Sequence, residues 1–288
     1  TVSPAATPVQ LRTSPATVGW IQRMSIPLQG QAGPGGLTGP GAPGFTGLLY
    51  RLSVPATGYD ELFSLHVPAA PQGVARPMLV GFHGFGTSHL DLYFNARELM
   101  DEAAARNWFL LAPFQLNPAT TDTSLSASLR DPSFSFASAE SQVHVEALID
   151  FVLAQWSVDL DRIYGIGFSM GGGNALSFAA RHRDRNRGAF AAVVNHTGTA
   201  SLRATYQQSN DTLLFRSPLM FGATPSQDPF AYQRSSTIDF DALGGQLLPG
   251  GEMASNLSHV PTRHWNADFD PNPYIVEQTE KLHAQMLS

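Results

Sequence analysis

The sequence predicts an α/β protein with a mostly parallel central sheet and helices on both faces, and three observations predict it. From Leu48 onward, apolar runs of strand length alternate with segments of helical spacing. Two of the runs, Pro77 to Phe82 (PMLVGF) and Trp108 to Phe114 (WFLLAPF), are apolar throughout, as strands covered on both faces must be. A third, Arg162 to Phe168 (RIYGIGF), runs straight into a glycine-rich turn and a helix, the strand-to-helix unit of parallel sheets.

In chain order, Leu48 to Val54 and Glu61 to Val67 are short alternating runs separated by Pro55, Thr57, Gly58 and Asp60. Turn formers at that spacing predict an antiparallel pair. Pro77 to Phe82 follows as a buried strand, Leu92 to Arg106 as a helix, and Trp108 to Phe114 as the next strand. Val145, Leu148, Phe151, Val152 and Trp156 recur at helical spacing over Ser141 to Trp156. Arg162 to Phe168 is then a strand, Met170 to Ala180 a helix, Ala189 to Val194 a strand and Pro218 to Phe221 a short strand. Between Phe221 and Pro273 there is little periodicity. A closing helix is expected over Pro273 to Leu287, with proline in its first turn.

The 288 residues suffice for one large α/β domain, placed at 47–288. Residues 1–46 form a Pro/Gly-rich extension. Its glycine period at Gly30 to Gly47 breaks at Gly41, too soon for a collagen helix. Hydrophobic residues at 43% and charged residues at 14% describe a packed core under a neutral surface. A net charge of -6 gives no positive field for a nucleic acid. The basic group Arg181, Arg183, Arg185 and Arg187 falls where a helix ends, where cations face the negative end of its dipole. With no cysteine, disulfides, thiolate metal sites and a cysteine nucleophile are excluded. No apolar stretch is long enough for a membrane span. The Ser/Thr/Ala/Pro-rich start, Thr1 to Thr17, points to a processed or trimmed end, hence a secreted or periplasmic, soluble protein, with a monomer favoured.

Gly167-Phe168-Ser169-Met170-Gly171 fits G-x-S-x-G where a buried strand meets a helix. A sharp turn there lifts a serine hydroxyl above the sheet edge, and the glycines keep side chains out of the crowded backbone. Such a serine needs a base to take its proton and N–H donors for the oxygen that becomes negative. Met170, at the helix N-terminus, offers one donor, and Phe85 in His83-Gly84-Phe85-Gly86 offers the second. Asp228, in GATPSQD after Phe221, is the expected acid, with Asp239, Asp241 and Glu252 as alternatives. Past it lie His259, His264 and His283. His264, read as a loop residue before the last helix, is the expected base, with His259 behind it. His83, His196 and Trp265 are expected to line the site.

Together HGFG, GFSMGG, GATPSQDPFAY and the late HW resemble the α/β-hydrolase superfamily, in particular its lidless secreted esterases of the feruloyl esterase and polyhydroxyalkanoate depolymerase branch. The resemblance covers roughly Leu48 to Ser288. It implies an acyl-enzyme on Ser169, proton shuttling by His264, an orienting Asp228 and no metal or organic cofactor. The acid loop departs from the family by the insertion of Pro225, Ser226 and Gln227. The substrate class expected is a small or polymeric ester, with an apolar pocket from Phe85, Phe168, Met170 and Trp265 and with polyester or aryl-ester cleavage as one form. An acyltransferase with the same triad, or a noncatalytic binding module, would share these motifs. Asp268, Asp270 and Asn272 suggest a calcium loop, but Pro273 and Thr279 stand where that loop needs glycine and glutamate. Asn195-His196-Thr197, Asn210-Asp211-Thr212 and Asn256-Leu257-Ser258 match glycosylation acceptors.

Overall fold

The computed structural model describes residues 24–25, 47–68, 73–94, 96–116, 135–182, 189–208, 221–248, 253–267 and 269–287. Its main sheet contains β1 (Met24–Ser25), β2 (Gly47–Val54), β3 (Tyr59–His66), β4 (Arg76–Phe82), β5 (Phe109–Pro113), β6 (Val158–Phe168), β7 (Ala192–His196) and, last in the chain, β10 (Thr262–Trp265). The spatial order is β1-β2-β3-β5-β4-β6-β7-β10. The first three pairings are antiparallel and the four from β5 to β10 are parallel. Strands β8 (Phe240–Asp241) and β9 (Gln246–Leu247) form a separate hairpin.

The helices are α1 (Asp91–Phe94), α2 (Arg97–Ala105), α3 (Ala139–Gln155), α4 (Met170–Arg181), α5 (Leu202–Gln208), α6 (Pro229–Arg234) and α7 (Pro273–Leu287). None among the described residues is long and apolar enough to cross a membrane. The helix expected over Leu92 to Arg106 is therefore two, α1 and α2. Ser138 starts α3 by accepting from the Ser141 N–H, and Pro273 opens α7 with no backbone donor to lose.

Alternation along β5 shows how two helical layers cover one sheet. All five of its residues are buried, but Leu111 packs with residues of α3 and α4 while Leu110 and Ala112 pack with Leu92, Met100 and Ala103 of α1 and α2. Under α4 the core is aromatic: Phe82 meets Phe190 edge-on at 6.1 Å, and Phe178 lies 5.4 Å from Phe190. Each such buried ring contributes roughly 2–3 kcal/mol. Because β4, β5, β6, β7 and β10 run in one direction, their carboxyl ends share one edge of the sheet. Cross-strand register places Phe82 beside Gly167, Phe168 beside His196, and His196 beside Trp265.

One expectation needs correction. The aperiodic stretch after Phe221 holds a strand, β10, and His264 lies within it and not on a loop. Four residues, TRHW, at the sheet's end bury no complete face, so no apolar alternation marks them. Of the strand expected at Pro218 to Phe221, residues 218–220 lie outside the described residues and Phe221 is in a turn. Arg181 closes α4 and donates to the Gln233 carbonyl at 2.9 Å; Arg183, Arg185 and Arg187 lie outside the described residues. Within 1–46, Met24 and Ser25 pair with Leu49 and Leu48.

Candidate active site

Ser169 sits between β6 and α4 with φ 53° and ψ -122°, a left-handed backbone that a residue bearing a Cβ rarely adopts. It stands at the N-cap of α4, where serine normally turns its hydroxyl onto the helix. Here the side chain makes no capping bond. Backbone atoms hold the turn instead: the Ser169 N–H donates to the His196 carbonyl at 2.8 Å, and the Ser169 carbonyl accepts from Gly172 at 2.9 Å. Ser169 is thus half-buried at the sheet edge, with its hydroxyl not spent on the helix.

The glycines explain how the turn closes. A Cβ on Gly167 would overlap the carbonyl of Gly171, and one on Gly171 would overlap the carbonyl oxygens of Phe82 and His83. A Cβ on Gly172 would run into Asn195 Oδ1 and come within 2.9 Å of the Gly198 Cα. So α4 starts pressed between the ends of β4 and β7, and Asn195 is wedged beneath its first turn.

The segment after β4 approaches from the other side. An ideal Cβ on Gly84 would be 3.7 Å from that of Ser169, so the donor loop lies against the serine. His83 is fully buried, with Nε2 2.7 Å from the Phe114 carbonyl oxygen and Nδ1 2.8 Å from that of Gly84. It anchors the loop and does not line an open site, a correction to the expectation for it. Phe85 is 39% exposed, its ring 5.6 Å from that of Phe136. Met170 is the first residue of α4, and an N–H there has no partner inside the helix. Its side chain is buried with Phe136, Leu202, Tyr206 and Tyr232, and Phe168 packs against the α1 and α2 cluster. Met170 is buried and Phe168 half-buried, whereas Phe85 and Trp265 are exposed at the edge, the latter 48% exposed with the Arg263 guanidinium 4.4 Å from its ring centre. His196 is exposed next to Trp265, 5.4 Å from the Phe168 ring.

Acid and base candidates are not joined in this structure. Asp228 caps α6 by accepting from the Ala231 N–H at 3.1 Å. His264 Nδ1 lies 3.1 Å from Asn195 Nδ2, while its buried Nε2 and the buried Asn195 Oδ1 have no partner. Turning the Asn195 amide over puts Oδ1 on an Nδ1–H and leaves the Nε2 lone pair to accept a proton. Burial, and secondarily His283, lowers the pKa of His264, so the neutral ring is favoured. Asp239 is bound to Arg203 at 2.8 Å, Asp241 accepts from Gln207, and Glu252 lies outside the described residues. His259 and His283 are exposed.

Two residues at this edge, Asn195 and Asp270, stand outside the elbow, donor-loop and acid-loop motifs. Asn195 is completely buried, so it is no glycosylation site in the folded chain; the pattern N-H-T hid its packing against Gly172 and Gly198. Asp270 stands on the loop leaving β10 at the Ser169 edge, half-buried and accepting from the Asn272 N–H at 2.8 Å. Position after a strand was the signal that could have found it, but β10 itself was not legible.

No family model matches the chain, and no curated protein does by sequence. By structure it is similar to a ferulic acid esterase (TM-score 0.55, 15% identity, 84% of this chain and 86% of that one). It is also similar to an S-formylglutathione hydrolase from Agrobacterium tumefaciens (TM-score 0.52, 13% identity, 86% and 97%). A puromycin-hydrolyzing peptidase from Mycobacterium tuberculosis matches at TM-score 0.55 and 18% identity over 84% of this chain, which spans only 33% of that protein. These likenesses establish the α/β-hydrolase fold.

Proposed function

We propose that this α/β-hydrolase-fold chain is a serine hydrolase of carboxylic esters, with Ser169 as nucleophile. The observation that carries the reading is Ser169 itself: a strained, left-handed residue at a helix N-cap whose hydroxyl does not cap. Strain of this kind gathers where geometry is needed for chemistry. In the proposed reaction Ser169 Oγ attacks the ester carbonyl carbon as its proton passes to His264 Nε2. The carbonyl oxygen becomes an oxyanion facing the backbone N–H groups of Met170 and Phe85. Collapse expels the alcohol, which leaves with that proton, and water then attacks the acyl-enzyme by the same route.

The partner of His264 in this reading is Asn195, because its amide is the group at Nδ1. An amide oxygen can hold the ring as a carboxylate would, without countering the charge that forms on it. The exposed Phe85 and Trp265 give an apolar acyl or aryl group a surface beside the serine. The names of the ferulic acid esterase and the S-formylglutathione hydrolase agree with this class. A fluorophosphonate that reacts only with activated serines tests the proposal. Wild type is expected to be labelled and Ser169→Ala not; an unlabelled wild type, or equal labelling of the two, removes it.

A further inference from the structure

We infer that Glu61, on β3, is a positioning residue for the oxyanion donors; this rests on the serine-hydrolase reading above. Both donor-bearing segments lean on the same short stretch beyond β5, residues Phe114, Gln115 and Leu116. From the β4 side, His83 Nε2 meets the Phe114 carbonyl oxygen at 2.7 Å. From the α4 side, Asn174 Nδ2 donates to Gln115 Oε1 and also to Ser135 Oγ, at 2.8 Å in the second case, and Ser135 Oγ lies 3.9 Å from Met170 Sδ. Phe85 and Met170 therefore share one buttress.

That buttress has no regular secondary structure to hold it, and Gln115 takes the left-handed φ of 59° that a side-chain-bearing residue avoids. Glu61 supplies the hold. Its Oε1 accepts from the Gln115 N–H at 2.6 Å, and its Oε2 accepts from the Leu116 N–H at 2.9 Å. The carboxylate is itself fixed by His144 of α3: Oε2 can only accept, so Nδ1–H donates to it at 2.9 Å, and His144 Nε2 lies 2.7 Å from Thr57 Oγ1. Glu61 and His144 are both completely buried. A fully buried carboxylate is costly unless its acceptors are used, and here they go to the stretch against which both donor-bearing segments rest.

Glu61→Gln keeps the shape and one acceptor but turns an NH2 group toward an N–H, so the buttress shifts while the strand remains. Kinetics with p-nitrophenyl acetate, normalised to sites titrated with a fluorophosphonate, are expected to show kcat reduced by on the order of 10- to 100-fold, as for displacements near 1 Å at a reacting centre. KM should stay within about threefold, and inhibition by phenylboronic acid, whose adduct carries a tetrahedral oxyanion, should weaken in step with kcat. A loss that disappears on normalising to titrated sites is structural only and overturns the inference, as does an unchanged kcat. If Glu61→Gln does not fold, Gln115→Met, which severs the Asn174 link and leaves Glu61 in place, is read by the same criteria. Failure of wild type to label overturns the serine-hydrolase reading itself, which separates that outcome from failure of the Glu61 role in an active enzyme.

Discussion

Replacing Gly171 with alanine puts a methyl group where the carbonyl oxygens of Phe82 and His83 already lie, 2.6 Å from the Phe82 carbonyl carbon. Relief to an ordinary contact near 3.4 Å requires α4 and the end of β4 to separate by about 1 Å. Neither side yields easily: α4 is buried from Met170 to Ala180, and β4 is paired on both sides. Overpacking of this kind costs about 1–3 kcal/mol. For a domain of this size that is a fall in Tm of roughly 2–4 °C per kcal/mol. The larger consequence is catalytic, because the two elements driven apart carry Phe85 and Met170. A donor moved from about 2.9 to about 3.9 Å no longer forms a hydrogen bond, and loss of one oxyanion donor costs on the order of 100- to 1000-fold in kcat. Thermal melting by circular dichroism and ester hydrolysis per titrated site give both quantities. Gly58→Ala is the control, since Gly58 has φ 75° with nothing within 4 Å of a Cβ: about 1 kcal/mol of strain and no change in kcat are expected. Wild-type kcat in Gly171→Ala would refute the argument that these glycines set the donor geometry.

Activity should rise with pH through an inflection below the ordinary histidine value of 6.5, because burial lowers the pKa of His264 and only the neutral ring accepts the serine proton; kcat/KM against pH with its inflection above 7 would contradict His264 as base. Stability should respond to acid through other rings. His89 and His182 are both lowered to about 4, by burial first and then by His83 and Arg181 respectively. Each binds its proton more weakly folded than unfolded, so the stability is complete above pH 6.5 and is lost as pH falls toward 4, by about 3 kcal/mol per ring. Urea midpoints at pH 7.5, 5.5 and 4.5 measure the decline, and a flat series would count against buried neutral rings. Asp228→Asn should alter kcat by less than about twofold, since asparagine caps a helix as aspartate does. Asp270→Asn should do the same while Asn195 holds His264; a 10⁴-fold loss in either variant would give the orienting role to that carboxylate.

How much of this was legible in the sequence depended on how many neighbours constrained each residue. PMLVGF and WFLLAPF had to be apolar at nearly every position because helices cover both faces, so β4 and β5 declared themselves. The elbow was legible for a related reason, since the close approach of α4 to β4 and β7 admits only glycine at 167, 171 and 172. Thr262 to Trp265 met weaker demands at the end of the sheet, where Arg263 and Trp265 face outward. Nothing periodic marked that strand, and with it went the placement of His264 and Asp270. Nothing local in the sequence marks the packing of Asn195 or the hold of Glu61, because their partners, Gly172 and His264 for the one and Gln115, Leu116 and His144 for the other, are distant in the chain.

The conformation of Ser169 also sets folding and activity against each other at one position. Were folding the only demand, glycine would fill a site at φ 53°, because it reaches that region without a Cβ penalty of about 1 kcal/mol or more. Ser169→Gly should therefore melt higher than wild type while being inert. A chain selected for thermal resistance alone would drift away from serine here. Keeping it is a standing tax on stability that only a use for the hydroxyl repays.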